Sequence, residues 1–147
     1  MFNSYMNLAI QEAQAAAVRG EVPVGAVLVK DNQVLARNGN RTLELNDPTA
    51  HAEMLVIREA AANLGSQRLT ECDLYVTLEP CPMCAAAISF ARIRRLYFGA
   101  YDEKSGGAES GVNYFAHPSC HHAPEVYGGL SAEESAEMLR VFFAQKR

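Results

Sequence analysis

Two short motifs carry side chains that could hold a metal ion and move protons. Residues 49–53 (TAHAE) offer an imidazole and a carboxylate two positions apart, and residues 80–84 (PCPMC) offer two thiols three positions apart. His51, Cys81 and Cys84 are three ligands of the kind that zinc prefers, whereas a closed structural site needs four. We therefore predict one catalytic zinc per chain with an open fourth position, and Glu53 as the acid and base for a water molecule there.

The order and spacing of these groups, H-x-E followed by P-C-x-x-C, match the signature of zinc deaminases and predict hydrolytic deamination. Water would attack an electron-poor ring carbon that bears an amine, and Glu53 would pass the proton to the ring nitrogen and then help the ammonia to depart. No organic cofactor is required. One alternative is a set of buried cysteines and a hydrogen-bonded histidine with no metal. Another is a structural zinc site, whose fourth ligand would come from another thiol or imidazole. The candidates for that ligand are Cys72, Cys120, His117, His121 and His122.

The remaining cysteines give a weaker signal. Cys72 is predicted to be a small buried side chain. The run Cys120-His121-His122 lacks a standard ligand spacing, so we predict a loop and not a second metal site.

The composition predicts one globular domain, residues 1–147. Hydrophobic residues make up 49% and charged residues 20% of the chain, an ordinary balance. The formal net charge of −4 argues against a protein that coats nucleic acid non-specifically. No run approaches the roughly 18 apolar residues of a membrane span. A chain with four cysteines and no signal peptide is expected to be cytoplasmic and reduced.

Basic residues are clustered at two places. Arg92, Arg94 and Arg95 lie close in sequence, and Lys146 and Arg147 end the chain. Either these are solvated ends of a helix and a strand, or they form a surface for an anionic substrate.

The pattern of helices and strands predicts an α/β fold. Apolar periodicity and turn residues predict the following order: helix 3–19, strands 22–30 and 33–38 joined by a turn at 31–32, a helix from Asp47-Pro48 to 63, strand 72–78, helix 82–91, strand 94–99, a loop over 101–122, strand 123–127, and helix 132–145 with a capping box at Ser131 and Glu134. Strand–helix–strand units imply parallel neighbours. We predict a three-layer α/β/α sandwich with a mixed sheet of about five strands.

Two positions constrain this arrangement. Residues two apart on a helix point about 200° away from each other, so His51 and Glu53 can share a site only if His51 lies at the helix start. Gly25, inside the first strand, indicates either a bulge or a close approach of the backbone to a ligand.

The chain resembles the bacterial tRNA-specific adenosine deaminases, members of the cytidine and deoxycytidylate deaminase superfamily. Histidine and glutamate two apart, followed by P-C-x-x-C, form the zinc deaminase signature. The resemblance is carried by residues 21–29 (EVPVGAVLV), 46–54 (NDPTAHAEM), 74–88 (LYVTLEPCPMCAAAI), 97–111 (YFGAYDEKSGGAESG) and 128–147 (GGLSAEESAEMLRVFFAQKR). The two metal motifs specify the superfamily, and residues 97–111 and the tail 142–147 (FFAQKR) point to the tRNA branch.

The resemblance implies a cytidine deaminase-like fold and conversion of adenosine to inosine at the wobble position of an arginine tRNA with anticodon ACG. It also implies a homodimer that binds the anticodon stem-loop with residues of both chains. By position, Asn40 would read the purine ring. The other residues implied to bind substrate are Val24, Gly25, Ala26, Ala52, Asp102 and His122.

This sequence departs from the family pattern at three places. Many relatives have Asn at the position of His121, a basic residue at Ala123, and cysteine at Ser135. The first two departures concern recognition of the RNA loop and leave the chemistry unchanged. Two other functions compete with the leading one: deamination of a free base or nucleoside such as guanine or cytosine, and a zinc-stabilised binding module without turnover.

Overall fold

The computed structural model describes residues 2–146 of the chain, with side chains from residue 5 onward. Within that range the helices and strands follow one another in the predicted order. The elements are α1 (Phe2–Val18), β1 (Gly25–Lys30), β2 (Gln33–Gly39), α2 (Ala52–Leu64), β3 (Asp73–Leu78), α3 (Pro82–Ala91), β4 (Arg95–Ala100), a 3₁₀ turn (Tyr114–Ala116), β5 (Glu125–Tyr127) and α4 (Ala132–Gln145).

The strands form one mixed sheet in the order β2-β1-β3-β4-β5. β1 runs antiparallel to both β2 and β3, whereas β3, β4 and β5 are parallel. The predicted hairpin turns at Asp31 and Asn32, where φ is 51° and 61°. Two positive φ angles match a two-residue type I′ turn, which suits the twist of a hairpin. The predicted five-stranded mixed sheet is confirmed.

Helices cover both faces of the sheet, which gives the three layers. Successive side chains of a strand point to opposite faces. Leu74 and Val76 of β3 therefore pack in the core on the side of α2 and α3. Tyr75, which lies between these two residues in sequence, points to the opposite face of the sheet. There it packs against α1 and the partly buried Met138 of α4.

The second helix begins later than predicted. It starts at Ala52, with His51 as its N-cap in extended conformation (φ −72°, ψ 153°). The predicted helix start at Asp47-Pro48 is wrong, because the Asp47 carboxylate forms a local turn with Thr49 instead of capping a helix. Its Oδ1 accepts hydrogen bonds from the backbone N–H and the hydroxyl of Thr49, at 2.9 and 2.7 Å. An Asx turn of this kind competes with helix capping for the same side chain.

The end of the chain also differs from the expectation. The predicted capping box at Ser131 and Glu134 is wrong, because Ser131 has φ 56° and makes no side-chain capping bond within residues 2–146. β5 is limited to three residues, which are those that pair with β4. On α4, Phe142 is buried, whereas its neighbour Phe143 is 46% exposed.

Gly25 is required by contact between the sheet and α1. A Cβ at this position would lie 1.9 Å from the carbonyl oxygen of Ala9 and 2.5 Å from the nitrogen of Ala13. The irregularity in the hairpin register lies instead between Leu28 and Val29. The bulge interpretation of Gly25 is therefore wrong, and the backbone that approaches this glycine is that of a helix.

None of the helices within residues 2–146 has the length and apolar character needed to cross a membrane.

Candidate active site

Several chain segments that carry predicted site residues meet at one edge of the sheet. The parallel strands β3 and β4 end there, at Leu78 and Ala100. β1 runs the other way and begins at this edge, where β2 ends at Gly39. Ligand sites of open α/β sheets commonly lie beyond the carboxyl ends of their parallel strands.

Three metal-ligating side chains converge at the starts of two helices. His51 is the N-cap of α2 and Cys81 is the N-cap of α3. The His51 Nδ1 lies 3.7 Å from Cys81 Sγ and 3.5 Å from Cys84 Sγ. In a tetrahedral zinc site, bonds of about 2.0–2.1 Å to nitrogen and 2.3 Å to sulfur place these atoms about 3.6 Å apart. Donor types and spacing therefore fit a zinc ion held by three protein ligands.

The electrostatics of the two thiols favour one thiolate. A hydrogen bond from Cys84, together with the His51 ring, lowers the pKa of Cys81 to about 4. The same pairing with Cys81, together with burial, raises the pKa of Cys84. The hydrogen bond to Cys81 also raises the pKa of His51. A thiolate at a helix N-terminus is stabilised by the helix dipole and is the form that binds metals.

Glu53 is buried beside these ligands. Its side chain is 3% exposed, and its Oε1 lacks a hydrogen-bond partner among the residues described. Burial raises the pKa of its carboxyl to about 7. Because His51 caps the helix and does not lie within it, both side chains can reach the same cleft. A carboxyl with a pKa near neutrality is suited to accept and release protons.

Asn40 is held in one orientation at the end of β2. Its Oδ1 accepts a hydrogen bond of 2.8 Å from the backbone N–H of Ala52, next to the start of α2. The backbone N–H can only donate, so the oxygen of the amide must be the atom that faces it. The Nδ2 group is therefore the part of the Asn40 side chain left to donate to a ligand in the cleft.

These side chains surround a cleft of about 240 Å³ at the sheet edge. Three of the predicted substrate-binding residues, Val24, Asn40 and Asp102, contribute to its walls. The full lining is Val22, Val24, Asn40, Thr42, His51, Glu53, Leu78, Glu79, Cys81, Asp102 and Ser105.

Residues 2–100 match the profile of the cytidine and deoxycytidylate deaminase zinc-binding region. The tRNA-specific adenosine deaminase of Agrobacterium fabrum is 66% identical over 143 residues, covering 97% of this chain and 94% of that protein. The chain belongs to the tRNA-specific adenosine deaminases.

Solved structures support the same placement. A structure described under A-to-I editing by tRNA:A34 deaminases at the wobble position of transfer RNA is 65% identical, with a TM-score of 0.91. The match covers 92% of this chain and 99% of that chain. The guanine deaminase of Nitrosomonas europaea is 20% identical, with a TM-score of 0.79 over 97% of this chain and 84% of its own. It shares the fold of this deaminase.

Four of the residues implied to bind substrate lie outside the cleft lining in this tRNA adenosine deaminase. Gly25 faces α1, and Ala26 and Ala52 are buried in the core beneath the cleft. His122 bonds through its Nε2 to the carbonyl oxygen of Ile93, at 2.8 Å, beyond the far end of α3. A role for these four residues in substrate binding stays a prediction.

Two buried glutamates of this deaminase were not foreseen. Glu21 and Glu79 are each 2% exposed, and each carboxylate accepts hydrogen bonds from a loop beside the cleft. Glu79 itself lines the cleft, together with Thr42 and Ser105 from those loops. The sequence did contain a signal for Glu79. This acid directly follows the buried strand β3, where a charge without a partner would be costly, so a buried hydrogen-bonding partner could have been expected.

The other reactive or charged side chains of this deaminase form no second centre within the described residues. The one group there that could hold a metal is His51, Cys81 and Cys84. Cys120 contacts the Ser89 hydroxyl at 3.5 Å. In the predicted basic cluster, Arg94 pairs with Asp73 and Arg95 with Glu125. These two arginines therefore fit the interpretation of a solvated surface.

Proposed function

We propose that this protein deaminates adenosine to inosine at the wobble position of a tRNA anticodon, in an arginine tRNA with anticodon ACG. The observation that carries the proposal is one cleft that holds the buried Glu53, the two helix-capping metal ligands His51 and Cys81, and the oriented amide of Asn40. Close relatives over nearly the whole chain are deaminases of tRNA adenosine.

The metal assignment is one zinc ion per chain, held by His51, Cys81 and Cys84. When bound with an open fourth position, zinc supplies Lewis-acid activation of a water molecule. The two N-cap positions hold His51 and Cys81 at fixed helix ends, which orients these ligands before the metal arrives.

Glu53 carries the protons in this scheme. Its unpartnered Oε1 accepts a proton from the attacking water and delivers it to the ring nitrogen next to the reacting carbon. The carbon–oxygen bond forms and the carbon–nitrogen bond to the amine breaks. Glu53 then takes the proton of the new hydroxyl group on the reacting carbon and passes it to the leaving amine, so that adenosine and water give inosine and ammonia.

The size of the cleft restricts the substrate to an unpaired base. Its volume of about 240 Å³ is below the roughly 300–1,000 Å³ of sites for drug-sized ligands, so it suits one base with the rest of the molecule outside. An adenine in a duplex cannot enter such a site without being extruded, whereas an anticodon loop presents its bases at small cost. The Asn40 Nδ2 can donate to an acceptor nitrogen of the purine ring.

The proposal is tested by comparing four substrates at equal concentration: an arginine anticodon stem-loop with anticodon ACG, free adenosine, guanine and cytosine. We expect inosine from the stem-loop and little product from the free compounds. The same stem-loop with guanosine at the wobble position is the matched substrate control. Efficient turnover of guanine or cytosine with an untouched stem-loop would replace this function by that of a free-base deaminase.

A second candidate function is deamination of a free base such as guanine. It is favoured by the likeness to a guanine deaminase of Bacillus subtilis, which is 33% identical over 97% of this chain, with a TM-score of 0.65. The likeness to the tRNA deaminase structure is far higher, at 65% identity and a TM-score of 0.91. A zinc-stabilised binding module would be supported if the metal-loaded protein bound the stem-loop and released no inosine.

We also propose that residues 1–147 form a single domain that assembles as a homodimer. Large apolar side chains are exposed on the described chain, among them Phe90 on α3 (67%) and Leu43 (68%), and a second copy could cover part of this surface. Light scattering on a sizing column should give twice the chain mass of 16.0 kDa. We assign its action to the cytoplasm, where tRNA is present and thiol ligands stay reduced.

A further inference from the structure

The Glu79 carboxylate lies at the centre of a set of hydrogen bonds from one loop. Its Oε1 accepts bonds from the Asp102 backbone N–H at 3.0 Å and the Ser110 hydroxyl at 2.8 Å. Its Oε2 accepts bonds from the backbone N–H groups of Glu109 and Ser110, at 2.8 and 2.7 Å. These bonds reach 23 to 31 residues along the chain, so one buried charge closes the whole segment 101–111, defined here as the acidic-side loop.

The acidic-side loop is packed tightly against Glu79 and the metal-ligand turn. A Cβ on Gly106 would lie 2.7 Å from Glu79 Oε1, and one on Gly107 would lie 2.6 Å from the nitrogen of Pro82. The Gly107 N–H also donates to the carbonyl oxygen of Pro80 at 2.7 Å. The loop therefore packs directly on the turn that bears Cys81, and this packing brings Asp102 and Ser105 into the wall of the cleft.

Glu21 holds another wall in the same way. Its carboxylate accepts bonds from the Thr42 hydroxyl and the Leu43 N–H, each at 3.2 Å, and from the Glu44 N–H at 2.9 Å. The segment 41–47, defined here as the leucine-side loop, is thereby fixed beside the cleft, and its Thr42 is one of the lining residues. The two loops are thus held in the same way. In each case, backbone N–H groups of the loop donate hydrogen bonds to a buried, ionised glutamate.

We propose that Glu79 and Glu21 are positioning residues that fix the acidic-side and leucine-side loops as walls of the cleft, and that they set the affinity for the RNA substrate and not the rate of the chemical step. This inference rests on the proposed function. It assigns to the two glutamates a role distinct from that of Glu53, because their carboxylates are occupied by loop donors and Glu53 Oε1 is not.

Substitution by glutamine keeps the size and shape of the glutamate side chain and removes its negative charge. A carboxylate has two accepting oxygens, whereas an amide has one oxygen and an NH2 group that donates. Glu79→Gln would point this NH2 group either at the N–H groups of Glu109 and Ser110, or at the Asp102 N–H and the Ser110 hydroxyl, which can turn to accept. In both orientations at least one backbone N–H of the loop loses its acceptor. Because buried N–H groups left without an acceptor are costly, the loop should move away from its closed position.

The experiment measures kcat and KM on the ACG stem-loop for the zinc-loaded wild type, Glu79→Gln and Glu21→Gln. Glu103→Gln, an exposed change in the acidic-side loop, is the matched control. We expect KM to rise about tenfold or more in the two test variants while kcat changes by less than about threefold, because a displaced wall weakens binding of substrate and transition state alike. Zinc content should stay at the wild-type level.

Amide hydrogen exchange provides a second measurement, of the protection of the loop amides, that does not require substrate. The amides of Asp102, Glu109 and Ser110 should lose protection in Glu79→Gln while amides of the central strand β3 keep theirs. If Glu79→Gln does not fold, Ser110→Ala removes a single bond to Glu79 and should raise KM by a smaller factor.

Several results would overturn the inference. One is a fall in kcat with KM unchanged. This result would indicate that the substitution only lowers the fraction of folded protein and does not weaken substrate binding. Another is unchanged protection of the three loop amides in folded Glu79→Gln. If the wild type fails to deaminate the stem-loop although the exchange result is as expected, the proposed function is wrong and the positioning of the loop by Glu79 stands.

Discussion

Replacing Gly25 with alanine tests how the sheet is joined to α1. The added Cβ would lie 1.9 Å from the carbonyl oxygen of Ala9, 2.5 Å from the nitrogen of Ala13 and 2.9 Å from the Cβ of Glu12. Two of these three atoms are backbone atoms of a helix, so no side-chain rotation can relieve the contact. An ordinary contact needs at least about 3.4 Å, and α1 would have to retreat by about 1.5 Å.

The magnitude follows from what that retreat would separate. α1 packs Met6, Ala9 and Ile10 against Val27 and Tyr75 of the sheet, and all five are buried. Overpacking a core typically costs 1–3 kcal/mol, and rigid backbone on the opposing side places this case at about 3 kcal/mol or more. The Gly25 N–H also donates to the Thr77 hydroxyl at 3.1 Å, so a shift of β1 would disturb the strand end that bears the cleft.

The assay is urea unfolding of the zinc-loaded protein at one fixed protein concentration. Gly65→Ala is the control, because Gly65 has φ 65° and no atom within 4 Å of an added Cβ. That change should cost about 1–2 kcal/mol from backbone strain alone. If Gly25→Ala proved no more destabilising than Gly65→Ala, the close packing of α1 on β1 would be refuted.

Three further predictions concern the metal, the proton carrier and the buried charge of Glu21. Zinc content should fall to near zero in Cys81→Ala and stay at one per chain in Cys120→Ala; the reverse would show a different ligand set. Glu53→Gln should keep zinc and fold while turnover drops by at least about 10²–10⁴-fold, and loss of zinc would make the glutamate a ligand. Burial tends to raise the pKa of Glu21, but hydrogen bonds from Glu44, Leu43 and Thr42 outweigh it and lower that pKa below 4.5. A lowered folded pKa gives stability that is present above the unfolded pKa and lost as pH falls through the folded one. The excess stability of wild type over Glu21→Gln should therefore be full at pH 7 and shrink below about pH 4.5, as measured by unfolding at each pH.

Local signals predicted much of the fold because the responsible atoms are close in sequence. Helix α2 ends and helix α3 begins within one residue of the predicted positions, where Gly65 is left-handed and Pro82 lies in the first turn. Asp31 and Asn32 formed the predicted two-residue turn. The prediction failed where a capping residue had a competing local partner, as Asp47 has in Thr49.

The sequence also indicated the three candidate metal ligands that the structure brings together, because ligand type and spacing restrict the chemistry before any fold is known. The contacts that hold the walls of the cleft in place could not be predicted from sequence. The Glu79 bonds span up to 31 residues and the Gly25 contact joins a strand to a preceding helix, so both depend on the assembled sheet. The orientation of the Asn40 amide likewise required knowledge that Ala52 begins α2.

The helix starts at His51 and Cys81 impose a trade-off on any attempt to stabilise this protein. Neither side chain makes a capping hydrogen bond to its own helix within residues 2–146, and aspartate or serine at such positions typically adds about 1 kcal/mol. Sequence optimisation that scores folding alone would therefore replace both ligands. On the proposed ligand assignment, the metal-free protein would gain stability at two helices and lose the means to bind the ion, so a requirement for zinc would keep two poorly capped helices in the fold.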